Sequence, residues 1–119
     1  MADIPEGIDF YILDKGNIRK AKSVQEYTEF SKDANNRRVD LTLIDIKGVK
    51  VEVSTVFLMI DHRVIHSPGC RAVLFETMVF GGDYDGYQKR YTTYGDAKIG
   101  HWKIVDAIRN SKDPADDDS

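Results

Sequence analysis

Asp61 and His62 stand together at the end of an apolar run, with His66 and Cys70 following at four-residue steps. The H-x3-H-x3-C spacing can offer zinc three ligands, His62, His66 and Cys70, with Asp61 as a fourth or outer group. The plainer reading is a loop in which His62 closes a strand and Cys70 packs as a small apolar residue, and that reading is preferred. A Cys70 nucleophile with His62 as base would need an orienting group and an oxyanion site, and neither has a signature here. Glu76 interrupts the apolar run AVLFETMVF, where an unpaired buried carboxylate would be costly. Hairpin arithmetic brings it near Lys89 to Tyr91, so a cross-strand pair with Lys89 is expected ahead of a catalytic role. Asp61, His62 and Glu76 together define the alternative reading, a small metal-dependent hydrolase or nuclease. No catalytic residue and no cofactor is assigned in the leading one.

Two further groups have mainly structural readings. Gly100 sits inside a helical pattern, where glycine costs ~1 kcal/mol relative to alanine and implies close approach of helix to sheet. His101 beside it is then a packed, hydrogen-bonded core histidine. Arg37 and Arg38 are expected to pair with Asp40 or Asp61. Gly81 to Gly86 (GGDYDG) is a turn, since it lacks the lysine of a phosphate loop.

The elements that must position these residues read as β-α-β-β-β-β-α. Ile8 to Leu13 forms a first strand, ended by the turn residues Asp14 to Asn17. Ser23 and Glu26 form a capping box that starts a helix with Val24, Tyr27, Phe30 and Ala34 on one stripe. Arg38 to Ile46 and Val49 to Ile60 are β-rich and joined at Lys47-Gly48, a hairpin. Ala72 to Phe80 and Tyr87 to Thr92 follow, and Thr93 with Asp96 caps a second helix. Short connections between consecutive strands predict an α+β fold: a mostly antiparallel sheet of four or five strands with two helices.

The chain has 119 residues, of which 41% are hydrophobic and 31% charged, a composition that fits one globular domain. Residues 1–111 form that domain. The formal charge of the whole chain is -3, and residues 112–119 (KDPADDDS) carry all of it, one Lys against four Asp. That segment is expected to be a disordered acidic tail. The near-neutral body lacks the basic footprint of a phosphate-gripping protein, so direct nucleic-acid binding is disfavoured. A single cysteine, no signal-like N-terminus and no stretch of ~20 apolar residues lead to a cytoplasmic, membrane-free expectation.

Three blocks, VSTVFLMIDH at 53–62, LFETMVFGG at 74–82 and RYTTYGDAKIGH at 90–101, resemble a family of small uncharacterised proteins encoded by phages and prophages. The resemblance covers about half the chain. It departs in a longer first hairpin and in the 61–71 loop, which lacks the family's Gly- and Pro-rich stretch. The resemblance implies a phage or mobile-element setting in the host cytoplasm and little chemistry. The leading expectation is therefore a non-enzymatic accessory protein that binds a host protein or small-molecule ligand. Inhibition of host defence is its concrete form, whether of anti-CRISPR or nucleotide-sequestering type. Tyr84, Tyr87, Tyr91 and Tyr94 with Arg90 are the expected contact patch, because Tyr and Arg are enriched at binding hot spots. Two helices are too few to cover both faces of the sheet, so a homodimer is also expected.

Overall fold

A computed structural model of the chain describes residues 10–60 and 72–115. Asp61, His62, His66 and Cys70 lie outside the described residues, and the zinc reading built on them lies there too.

The observed elements are β1 (Tyr11–Asp14), β2 (Asn17–Lys20), α1 (Val24–Ser31), a 3-10 turn (Ala34–Asn36), β3 (Arg38–Ile46), β4 (Val49–Phe57), β5 (Phe75–Phe80), β6 (Gln88–Tyr91) and α2 (Tyr94–Arg109). The fold is α+β, as expected, with one addition. Asp14 to Asn17 is a tight turn that sends the chain straight back as β2, so β1 and β2 form a separate two-stranded hairpin. Lys15 and Gly16 both have positive φ, the signature of the hairpin turn that matches strand twist. Lys47 and Gly48 repeat this geometry between β3 and β4. The main sheet is a four-stranded antiparallel meander in the order β3-β4-β5-β6.

Both helix caps form at the residues expected. The Ser23 hydroxyl accepts from Glu26 N at 3.2 Å, and the Thr93 hydroxyl accepts from Asp96 N at 3.0 Å. The reciprocal arm of the capping box is displaced by one residue: the Glu26 carboxylate accepts from Lys22 N and also grips Arg19 of β2 with two bonds of 2.9 Å. These interactions hold the Glu26 pKa down to about 2, the Arg19 bond first among the causes. They tie α1 to the N-terminal hairpin.

Alternation along β4 decides where the core lies. Val51, Val53, Thr55 and Phe57 are buried under α2, while Glu52, Ser54 and Val56 point to the other side, where no helix lies among the described residues. Two apolar clusters result. Ile44, Val51, Val53 and Val79 pack with Ile104, Val105 and Ile108 toward the C-terminal end of α2. Phe57, Met59, Leu74, Phe75, Tyr91 and Ala97 form the other, closed by Tyr27 and Phe30 of α1 and by Tyr11, Leu13 and Ile18 of the small hairpin. Pro114 is buried and Lys112 N bonds Ala107 O, so the chain beyond α2 stays against the body to that point.

Gly100 lets α2 lie close to the sheet, since a Cβ there would overlap the Tyr91 ring. Gly→Ala in an open helix stabilises by up to ~1 kcal/mol. Gly100→Ala is expected to do the reverse and destabilise by about 1–3 kcal/mol through overpacking, read as a lower urea midpoint.

Candidate functional site

Three places bring together side chains with chemistry. The first is buried between α2 and the sheet. His101 is 0% exposed, and its ring nitrogens sit 2.7 Å from the Thr55 hydroxyl and 2.8 Å from the Thr42 hydroxyl. Thr55 in turn bonds Thr77 across the β4-β5 pair at 2.5 Å. Every ring nitrogen has a hydroxyl partner, which is how a polar group survives in a core. Burial lowers the His101 pKa, Asp40 opposes that shift, and Lys98 reinforces it. The Tyr91 phenol lies nearby, makes no hydrogen bond of ordinary geometry, and is pushed up in pKa by burial, with the Thr77 hydroxyl partly offsetting the shift. This is the core histidine that the sequence leads one to expect. It is sealed from substrates and acts on the fold.

The second place is the sheet face that α2 does not cover. Glu76 points there, with its carboxylate 3.0 Å from Arg90 Nε. The expected partner Lys89 is thereby corrected to Arg90: the β5-β6 register sets Glu76 opposite Arg90 and Thr77 opposite Lys89. Side chains alternate along β6, so Lys89 shares the helix-side face and reaches over the Tyr91 ring. Asp40 is likewise corrected, since its partner is Lys98 of α2 at 3.1 Å and neither Arg37 nor Arg38. Arg37 donates to Phe57 O and Arg38 to the Asn35 side chain.

The expected tyrosine patch is divided as well, by alternation only between Arg90 and Tyr91. Tyr91 is core, 8% exposed, and Tyr94 packs beside it as a half-buried flank. Arg90 faces the opposite side of the sheet. Tyr84 and Tyr87 remain together, half-buried against the other cluster. The expectation of four exposed tyrosines therefore fails at Tyr91, which is core, while Tyr84, Tyr87 and Tyr94 are half-buried, the first two against one apolar cluster and Tyr94 against the other.

Tyr84 belongs to the third place, a cleft of about 230 Å³ at the turn end of the sheet. Val49, Val51, Val79 and Ile108 form its apolar floor, with Ile46 at the end of β3, and Lys47, Asp83, Tyr84 and Ser111 ring its mouth. The Gly81 to Gly86 turn builds one wall. Gly81 and Gly82 have positive φ, and a Cβ would meet the Lys50 carbonyl at the first and the Val51 side chain at the second, so only glycine lets the turn fold this close to β4. Asp85 holds the turn by accepting from Gly81 N at 2.7 Å. This cleft escapes sequence reading because its parts come from three separate segments; its one visible sign is the paired glycines beside Tyr84.

Among the described residues, no three His, Cys, Asp or Glu side chains gather as metal ligands, and no helix is long and apolar enough to cross a membrane. Compared with protein-family models, curated proteins and solved structures, the chain gives no match.

The His101 shift has a sign that can be measured. The unfolded chain takes up the imidazole proton near pH 6.5, whereas the folded chain resists it to a lower pH. The stabilisation is complete above about 6.5 and is lost progressively as pH falls below it. Urea midpoints measured from pH 8 to pH 5 are expected to decline for the natural chain and to stay flat over that window in His101→Gln, whose midpoint is lower throughout. Glu26 does not interfere, because its lowered pKa gives a loss confined to the range below about 4.5.

Proposed function

We propose that this chain is a non-enzymatic accessory protein of a phage or mobile element, acting in the host cytoplasm by binding a host protein, with inhibition of a host defence complex as its use. The cleft at Tyr84 carries the reading. An apolar floor with a few polar groups at the mouth is the form of a pocket that receives an anchoring side chain from a protein partner. Its volume, about 230 Å³, falls below the range of roughly 300–1,000 Å³ usual for small-molecule and cofactor sites. That favours a protein partner over sequestration of a nucleotide. Of the three residues of the hydrolase alternative, Glu76 is the one among the described residues, and its engagement by Arg90 does not support that reading. The resemblance to phage-encoded proteins supplies the setting.

Native copurification from expressing host cells, read by mass spectrometry for proteins and nucleotides, identifies what is bound. The captured protein is then titrated against the purified chain. Tyr84→Ala is expected to weaken binding about tenfold or more, the loss of at least ~1.4 kcal/mol typical of an interface anchor. Copurification of a nucleotide without any protein, or equal affinity in Tyr84→Ala, contradicts this reading.

A further inference from the structure

We propose that two copies of this chain pair antiparallel through β3, joining their four-stranded sheets into one eight-stranded sheet about a two-fold axis at Thr42. β3 is an edge strand of nine residues, with no proline or glycine and no lysine. Edges that must stay single are usually shortened, broken by proline, guarded by charge or twisted away by a bulge. On β3 the bulge and the inward acid Asp40, itself paired with Lys98, lie at the Arg38 end, and Leu41 to Ile44 carries none of these devices.

The register shows which groups are on offer. Ile46 pairs with Val49 across the two-residue turn, so Ile46, Ile44, Thr42 and Asp40 direct their backbone N–H and C=O toward β4. Leu41, Leu43 and Asp45 direct theirs outward, and among the described residues no strand meets them. The side chains of these three residues project on the face that α2 leaves uncovered. Leu43 is 73% exposed, the highest value among the exposed large apolar side chains, and Leu41 is 38% exposed.

The sequence of this edge is complementary to itself when reversed. A two-fold axis at Thr42 sets Leu41 opposite Leu43 of the second copy, and Leu43 opposite its Leu41. These residues exchange roughly four backbone hydrogen bonds, and their side chains cover one another. Farther out, a regular strand would set Asp45 opposite Val39 of the second copy. The bulge between Arg38 and Asp40 inserts one residue and aligns Arg38 with Val56 on the uncovered face. Arg38 thus meets Asp45 of the second copy at both ends of the pair. Asp45 uses Oδ1 to hold Gly48 N and keeps Oδ2 for this contact, while the bond from Arg38 to Asn35, at 3.3 Å, is long enough to yield. Asp40, the one acid on the inner side of β3, is already neutralised by Lys98.

This inference goes beyond the host-partner reading and is tested with the purified chain alone, so either can fail without the other. Sedimentation equilibrium over a wide concentration range is expected to show a monomer–dimer equilibrium. Leu43→Arg, at a side chain outside the core, is expected to weaken it at least tenfold with unchanged circular dichroism. Arg38→Asp and Asp45→Arg are each expected to be monomeric alone, to form a dimer when mixed, and to recover the homodimer when combined in one chain. Amide exchange is expected to slow on dimerisation at Leu41, Leu43 and Asp45 and to stay unchanged at Thr42 and Ile44, whose amides already bond β4. A natural chain that is monomeric at every concentration, a dimer that Leu43→Arg leaves intact, or charge variants that fail to recover on mixing and on combination would overturn the proposal.

Discussion

The packing of α2 on the sheet rests on one hydrogen-bonded seam. His101 bridges Thr42 of β3 and Thr55 of β4, and Thr55 continues to Thr77 of β5, so a single imidazole links the helix to three strands. Each such bond contributes only about 0.5–1.5 kcal/mol net, but a shift that orphaned a buried nitrogen or hydroxyl would cost about 1–3 kcal/mol for each. The apolar clusters on either side of the seam would tolerate sliding better than the seam does, because hydrophobic contact is not directional. Gly100 and Tyr91 add a second restriction, since the ring fills the space that any side chain at that position would need. Together they fix both the height and the register of α2.

Much of this was legible in the sequence wherever a local rule decides it. Ser23 and Thr93 start their helices because a hydroxyl at the cap satisfies a free N–H, and Lys47-Gly48 turns because its backbone must adopt positive φ. The Gly100-His101 pair announced a close, polar helix–sheet contact. What the sequence left hidden depends on register. Glu76 could reach any of three residues on β6 by arithmetic, and only the observed alignment selects Arg90. The tyrosines cluster in sequence yet divide between the two apolar clusters, Tyr84 and Tyr87 in one and Tyr91 and Tyr94 in the other. The return strand β2 was missed because NIRK has no alternating apolar pattern; its pairing follows from the turn before it and the grip of Glu26 on Arg19.

One helix laid on one face has a consequence for function. α1 and the β1-β2 hairpin close the Phe57 end of the core, so the face bearing Leu41, Leu43, Met78 and Phe80 is left without a helix among the described residues. The Glu76–Arg90 pair on that face is partly exposed, and such pairs are worth at most about 1 kcal/mol. Its effect is to keep the Val56 row polar at its outer end, so that the apolar side chains concentrate toward β3 and the turn end of β5.

β3 therefore has three tasks along nine residues. Thr42 and Ile44 face inward, to the His101 seam and the apolar core, and cannot vary without disturbing α2. Leu41 and Leu43 face outward, where the fold asks nothing of them, and a monomer would favour polar residues there. Ile46 ends the strand in the cleft beside Tyr84. A two-fold axis at Thr42 leaves both clefts open, since Ile46 lies four residues from the axis in each copy, and sets them roughly 27 Å apart along the strands. Pairing through the edge and binding at the cleft are thus compatible in one molecule, and a paired protein would present two equivalent clefts to a partner that is itself repeated or symmetric, where effective concentration strengthens a weak single contact.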